Sequence, residues 1–206
     1  MKHRLVLCVA LTTLTVFCSL AAVPSDVAAD ATGEISGKLV GNKKYFRDAI
    51  VFLEKVPGEH KPPAKPVEMD QRNHKFAPAV LPVVPGTTVR FLNNDHEAHN
   101  VFSPDNETYD LGNWTAGEHR DYTFKHLGVY TQLCKLHPSM IGYIVVLQNP
   151  YVARVQSDGS FRIRDVPAGK YKVKAWQARG EGGPVDVAVD AGETAETEIP
   201  IGRRQR

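Results

Sequence analysis

The sequence predicts an all-β protein, and three observations support this. Short runs rich in β-branched and aromatic residues recur throughout the chain after residue 29. Turn-forming sequences built from Gly, Pro and Asp separate many of these runs. No window of about twelve residues shows the apolar stripe and capping residues of an amphipathic helix. We therefore predict β-sheets packed as sandwiches.

The predicted strands follow one another at short intervals. Pro85-Gly86 precedes the third run, and Asp158-Gly159 forms a hairpin turn before the eighth. Pro167-Ala168-Gly169 and Glu181-Gly182-Gly183-Pro184 separate the eighth, ninth and tenth runs. The predicted strands are residues 34–40, 49–56, 87–92, 100–103, 121–124, 129–134, 141–147, 161–166, 171–176, 185–189 and 194–199.

The amino-terminal residues have the pattern of a secretory signal. A basic start at residues 2–4 precedes an apolar run without a charge at residues 5–20. Val27-Ala28-Ala29 then provides a small-residue cleavage site. We predict a signal peptide over residues 1–29 and export to the periplasm or out of the cell. The alternative is an uncleaved membrane anchor, which Pro24 and the hydroxyl residues of this stretch disfavour.

Net charge and cysteine content limit the classes of function that this protein could have. Cleavage after residue 29 removes two of 25 basic and one of 23 acidic residues, which leaves 23 and 22 and a net charge of +1. So small an excess argues against a nucleic-acid-binding protein. Cleavage also removes Cys8 and Cys18 and leaves Cys134 alone. Because a free thiol in an oxidising compartment is a liability unless it is buried or functional, Cys134 requires an explanation.

Side chains that could bind a metal ion are concentrated around this cysteine. Residues 134–140, Cys-Lys-Leu-His-Pro-Ser-Met, place a thiolate, an imidazole and a thioether in one loop between two predicted strands. Thiolate and thioether are soft donors and imidazole is borderline, a set that suits copper in both oxidation states better than Mg²⁺ or Ca²⁺. A structural zinc ion would require four strong ligands, and methionine is a weak one.

A trigonal copper site of two histidines and one cysteine, with a distant axial methionine, needs one histidine from outside this loop. His99 is the best candidate because it opens a predicted strand just after the turn Asn93-Asn94-Asp95. The predicted metal ligands are therefore His99, Cys134, His137 and Met140.

Several of these residues also have a purely structural interpretation. Cys134 could be a small buried hydrophobe, and Met140 could fill a gap in the core. His96 lies in the turn, and we interpret it as a solvated residue. We interpret His74 as an ordinary surface histidine, with a second metal contact as the alternative.

Four stretches of the central segment carry a family resemblance. They are residues 85–94 (PGTTVRFLNN), residues 99–102 (HNVF), residues 128–130 (GVY) and the loop at residues 134–140. Together they resemble the cupredoxins, the type 1 blue-copper electron carriers. The loop, with two residues on each side of the histidine, is similar to that of amicyanin, and the wider arrangement resembles proteins labelled methylamine-utilisation or plastocyanin-like. The resemblance implies a Greek-key β-sandwich over residues 67–149.

The resemblance also implies roles for individual residues around one copper ion per chain. His99 and His137 would bind through imidazole nitrogen, Cys134 through its thiolate, and Met140 weakly along the axis. Asn100 would tie the two ligand-bearing loops together by hydrogen bonds. The edge of His137 would reach the surface and pass electrons, with a dehydrogenase as donor and a c-type cytochrome as acceptor.

The flanking strands carry a second resemblance. Residues 33–40, 157–163 and 166–173 look like parts of a carboxypeptidase-regulatory or transthyretin-like sandwich. The likeness implies that residues 33–57 and 151–201 form one small Ig/transthyretin-like β-sandwich, interrupted by the central segment. In the alternative arrangement, the front strands complete the central domain and only the back is separate.

Motifs typical of enzymes are missing from the sequence. It contains no Gly-rich phosphate loop, no G-x-S-x-G elbow and no second set of metal ligands. We therefore expect an electron carrier that is not an enzyme and that does not insert into a membrane after signal cleavage. Two other functions stay open, a copper-delivery module with an exchangeable Cu(I) site and a non-redox β-sandwich binding module.

Overall fold

The computed structural model describes residues 31–205, which form sixteen β-strands and one 3₁₀ turn at Lys43–Tyr45. The predicted all-β fold is confirmed. The predicted signal peptide lies outside the described residues. Within residues 31–205, no helix has the length and apolar character needed to cross a membrane.

The strands are numbered in chain order. They are β1 (Thr32–Gly41), β2 (Ile50–Leu53), β3 (Val67–Arg72), β4 (Lys75–Ala77), β5 (Val80–Val83), β6 (Thr87–Asn93), β7 (His99–Ser103), β8 (Tyr109–Trp114), β9 (His119–Phe124), β10 (Gly128–Leu133), β11 (Ile141–Val146), β12 (Val152–Arg154), β13 (Ser160–Pro167), β14 (Gly169–Gln177), β15 (Gly180–Val189) and β16 (Thr194–Arg203).

The largest sheet combines strands from the two ends of the described chain. Its order is β12-β2-β14-β15-β16-β1-β13. β1 runs parallel to β16 and antiparallel to β13, while β2 lies between β12 and β14. Buried side chains from these strands, including Ile35, Val51, Phe161, Val173 and Ile199, form one hydrophobic cluster. The strands before the central segment and those after it therefore share a single core.

The central segment forms two smaller sheets. One has the order β5-β11-β10-β7-β8 and the other the order β4-β3-β6-β9. Burial alternates along β6, so that Val89 and Phe91 point inwards while their neighbours are partly exposed. A second hydrophobic cluster draws Phe91 from one sheet and Trp114 and Tyr130 from the other. Shared burial of these side chains holds the two sheets together as a sandwich.

The sandwich and the seven-stranded sheet meet at a third hydrophobic cluster. It contains Ile50 and Trp176 from the large sheet and Val80, Val145 and Leu147 from the central segment. The Trp176 ring packs edge to face against Tyr143, with ring centroids 5.3 Å apart. This apolar contact joins the two parts of the protein.

The sequence pattern does not predict five of the strands, and four of these lie at the edge of a sheet. β4, β5, β8 and β12 are edge strands, and β3 lies inside the four-stranded sheet. β4 and β12 have only three residues each. β5 contains Pro82, and β8 contains Gly112. Short strands and residues that disfavour strand pairing are typical of sheet edges, because they limit pairing with other chains.

Candidate metal centre

The ends of three strands bring the predicted ligand residues together. His99 is the first residue of β7, Cys134 directly follows β10, and Met140 directly precedes β11. β10 pairs with β11 along its full length, so the loop at residues 134–140 closes a hairpin. β10 also pairs with β7 through Leu133 and Phe102. This pairing places the start of β7 beside the hairpin loop.

Three of the four predicted ligands point their donor atoms at one another. The Cys134 sulfur lies 4.0 Å from His99 Nδ1 and 3.8 Å from His137 Nδ1, and the two Nδ1 atoms are 3.0 Å apart. One point lies about 2.1 Å from all three atoms, close to a metal–imidazole bond of about 2.0–2.1 Å and slightly less than a metal–thiolate bond of about 2.3 Å. The three side chains therefore fit a single metal ion.

Met140 lies at the end of the same loop and is 1% exposed. Its amide donates a hydrogen bond of 2.9 Å to the carbonyl of His137. Its side chain belongs to the hydrophobic cluster that also contains Cys134. Burial beside Cys134 fits both a core side chain and a distant axial ligand, so its role as a ligand stays a prediction.

The outer ring nitrogens of both histidines face carboxylates. His99 Nε2 lies 3.1 Å from Asp95 Oδ2, and His137 Nε2 lies 3.0 Å from Glu97 Oε2. An ionised carboxylate only accepts hydrogen bonds, so each Nε2 carries the proton that it donates. The Nδ1 atom of each ring then carries a lone pair. This lone pair faces the Nδ1 atom of the other ring and the Cys134 sulfur. Three donor atoms this close together would attract a shared cation.

The hydrogen bonds of Asp95 and Glu97 keep these carboxylates ionised. The pKa of Asp95 is lowered from 3.8 to about 2, chiefly because its carboxylate accepts the amide of His74 and also the ring N–H of His99. The pKa of Glu97 is lowered by hydrogen bonds from the rings of His74 and His137. Both groups therefore carry a negative charge at neutral pH.

Asn100 connects the two ligand-bearing segments. Its backbone amide donates to the Cys134 sulfur at 3.3 Å, and its side-chain oxygen accepts the amide of Lys135 at 3.2 Å. The predicted hydrogen bonds of this asparagine are confirmed. Its side-chain amide in turn donates to Asp110 at 2.7 Å and to the carbonyl of Gly112 at 2.9 Å. These bonds fix the thiol in a polar but largely water-free setting.

The two histidines differ in their access to solvent. The side chain of His99 is 0% exposed, whereas that of His137 is 22% exposed. Leu136, directly before His137, is also exposed. His137 is therefore the candidate ligand nearest the surface, as the sequence predicts.

The sequence pattern predicts none of Asp95, Glu97 and Asp110 as part of the site, and it predicts His74 as an ordinary surface histidine, with a second metal contact as the alternative. His74, Glu97 and His137 form a second group of donor atoms, all within 4.8 Å of one another. His74 lies outside the group of His99, Cys134 and His137. Asp95 and Glu97 stand at alternate positions before His99, which is a weak signal because surface carboxylates are common in loops.

Asp110 should make the stability of the protein depend on pH under acidic conditions. Hydrogen bonds from Lys135, the Gly112 amide and Asn100 lower the Asp110 pKa from 3.8 to about 2. Because the folded pKa is the lower one, the stabilisation is present above about pH 4 and is lost as the pH falls towards about 2. We expect the free energy of unfolding to depend less on pH between 4 and 2 in Asp110→Asn than in the original protein, as measured by denaturant unfolding at a series of pH values.

The matched control is Asp186→Asn, which removes an exposed carboxylate paired with Lys172. Exposed ion pairs contribute little to stability, so this variant should keep the original acid response. An Asp110→Asn profile parallel to that of the original protein would contradict the prediction.

Comparison with known families agrees with the two-part fold. A family model described as copper binding proteins of the plastocyanin/azurin family matches residues 64–147. A second, of the fibronectin type III (fn3) kind and described as polysaccharide lyase family 4, domain II, matches residues 139–197. The central segment thus has a cupredoxin β-sandwich fold, and a second β domain of the fn3 kind accompanies it. The predicted transthyretin-like character of the flanking strands stays a prediction.

Several solved structures are similar to part of the chain. A purple cupredoxin from Nitrosopumilus maritimus is 25% identical over 39% of this chain and 98% of its own, with a TM-score of 0.37. A reduced amicyanin variant is 24% identical over 47% of this chain and 97% of its own, with a TM-score of 0.38. A copper-containing nitrite reductase from Thermus scotoductus is 26% identical over 53% of this chain but 28% of its own, with a TM-score of 0.39.

Proposed function

We propose that this protein is a type 1 copper protein that carries single electrons between redox partners. His99, Cys134 and His137 would hold one copper ion per chain, with Met140 as a weak axial ligand. The observation that carries the proposal is the meeting of two imidazole Nδ1 atoms and one thiol sulfur around a common point. The match of residues 64–147 to the plastocyanin/azurin family of copper binding proteins supports it.

The donor set favours copper over other common metals. Two imidazoles and a thiolate bind copper in both oxidation states, and a thioether is a better ligand for Cu(I) than for Zn²⁺. A bound copper ion supplies a one-electron couple between Cu(II) and Cu(I). No acid or base chemistry by the protein is needed for such a transfer, which is why we propose a carrier and not an enzyme.

The surrounding residues favour electron transfer because they hold the ligands in place. Cys134 is 3% exposed and accepts the Asn100 amide, and His99 is 0% exposed. Ligands held in this way move little when the charge of the ion changes. His137 offers a partly exposed ring through which electrons would enter and leave. Burial of Cys134 and His99 also favours a retained ion over the exchangeable site expected of a copper-delivery protein.

We further propose a location, partners and a domain division. The signal predicted over residues 1–29 would direct the protein to the periplasm or out of the cell. The electron donor would be a dehydrogenase and the acceptor a c-type cytochrome. Residues 67–149 would form the copper domain, and residues 33–57 with 151–201 the discontinuous second sandwich. The shared sheet of β1, β2 and β12–β16 supports this division.

The test is an absorption spectrum of the purified mature protein with one equivalent of Cu(II), beside Cys134→Ala. We expect an intense visible band that bleaches on reduction, returns on oxidation and is missing from the variant, because the band requires a thiolate bound to Cu(II). Slow loss of copper to a chelator would further separate a carrier from a delivery protein. A protein without this band, or with one that persists in Cys134→Ala, would contradict the proposal.

A further inference from the structure

In both candidate histidine ligands, the outer ring nitrogen contacts a negatively charged side chain. Asp95 lies against the outer nitrogen of His99, and Glu97 against that of His137, at 3.1 and 3.0 Å. The Asp95 carboxylate is 10% exposed and that of Glu97 is 59% exposed. The two carboxylates come from one loop, between β6 and β7. Both rings are therefore fixed in the tautomer that presents Nδ1 to the other donors.

His74 contacts the carboxylates of both Asp95 and Glu97. Its backbone amide donates to Asp95 Oδ2 at 2.9 Å, and its ring Nε2 lies 3.3 Å from Glu97 Oε2. Its ring also packs against the rings of His137 and His99, with centroids 4.6 and 5.7 Å apart. His74 and the neighbouring Asn73 both have a positive φ, near 50°. Two successive residues in this region form the tight turn between β3 and β4, and this turn carries the His74 ring to the site.

We propose that Asp95 and Glu97 are positioning residues that, with His74, lower the reduction potential of the bound copper. Cu(II) is then favoured over Cu(I) more than it would be in the same site without these carboxylates. The proposal rests on the proposed function and concerns the same site. A carboxylate that accepts the outer N–H of a ligand histidine fixes the ring and makes the ligand nitrogen more basic. A more basic ligand and two nearby negative charges both stabilise the more highly charged oxidation state.

This arrangement differs from an ordinary surface pair of histidine and glutamate. His126 and Glu107 form such a pair, with Nε2 and Oε1 2.7 Å apart and side chains that are 71% and 28% exposed. Exposed pairs of this kind contribute little energy. The pair of Asp95 and His99 is almost fully buried, and His74 links it to the outer pair. The carboxylates are thus attached to the two rings whose inner nitrogens meet Cys134.

The test is the midpoint potential of copper-loaded protein in which Glu97 is replaced by Gln. This variant keeps an oxygen acceptor for His137 but removes the charge. We expect the visible band to persist and the equilibrium to move at least tenfold towards Cu(I), which corresponds to a rise of about 59 mV for a one-electron couple. Asp95→Asn should raise the potential by at least as much, because this carboxylate is more buried and less screened by solvent.

Two further variants separate positioning from general effects of charge. His74→Asn keeps a residue that tolerates the left-handed backbone and leaves Glu97 charged, but it removes the ring donor that holds Glu97 beside His137, so the potential should rise by less than in Glu97→Gln. Glu107→Gln removes the same charge from the pair with His126, beyond the opposite end of β7, and its potential should equal that of the original protein. The shift in Glu97→Gln should also shrink at high ionic strength.

The outcomes distinguish this proposal from the proposed function. If the visible band is present and neither Glu97→Gln nor Asp95→Asn raises the potential, the positioning proposal is overturned and the copper site stands. An equal rise in Glu107→Gln would also overturn it, because the effect would then reflect net charge alone. If the original protein shows no copper band, the proposed function fails and this proposal fails with it.

Discussion

We expect His137→Gly to lose the visible copper band and to regain it when millimolar imidazole is added. The His137 side chain is 22% exposed, so its removal would open a cavity connected to solvent, into which free imidazole can enter and supply a nitrogen donor. His99→Gly should lose the band and should not regain it, because the His99 side chain is 0% exposed and its cavity would be closed. Absorption spectra with and without imidazole measure both results.

The matched control for this pair is His126→Gly, at a histidine far from the donor atoms that is 71% exposed. Its copper band should equal that of the original protein. If imidazole restored the band in His99→Gly but not in His137→Gly, the prediction would be contradicted, because the more buried histidine would then be the accessible one. A full band in His137→Gly without imidazole would show that this residue is not a ligand.

The largest expected effect on stability is that of Phe91→Ala. Phe91 is 0% exposed, lies in the middle of β6 and belongs to the hydrophobic cluster between the two smaller sheets. Removing a fully buried phenylalanine side chain costs both the transfer energy and the energy of the cavity that is left, typically about 3–5 kcal/mol. We expect the free energy of unfolding to fall by this amount, as measured by denaturant unfolding of the copper-free protein.

Leu127→Ala is the control, because Leu127 belongs to the same segment but is 55% exposed. Exposed substitutions of this kind usually change stability by less than about 0.5 kcal/mol. A loss below about 1 kcal/mol in Phe91→Ala would show that the two sheets do not pack around this residue as described.

Different residues form the candidate site and the junction between the two parts of the protein. The ligand residues lie at the start of β7 and in the loop after β10, whereas the junction is formed by residues such as Ile50, Val145 and Trp176. Changes at the junction should therefore alter stability before they alter the copper band.

Most strands inside the sheets could be predicted from the sequence, and most strands at the edges could not. β6, β10, β11 and β14 have β-branched and aromatic residues that pair on both sides, so their pattern is strong. β4 and β12 are three residues long, and β5 contains Pro82. Such segments become strands only because a longer neighbour supplies the hydrogen-bonding partner, which a local pattern does not record.

The all-β fold and the loop that offers Cys134, His137 and Met140 could be predicted from the residues alone, because strand periodicity and the spacing of donors within one loop are local properties. The sequence also predicts His99 as the ligand from outside this loop, since the turn before it marks the start of a strand. The polar side chains that contact the outer nitrogens of the candidate ligands become visible only in the folded protein. His74 stands 21 and 23 residues before Asp95 and Glu97, and the three residues meet because β3 pairs in parallel with β6, which brings the turn after β3 beside the loop after β6. Hydrogen bonds between such side chains depend on distances that sequence spacing does not contain.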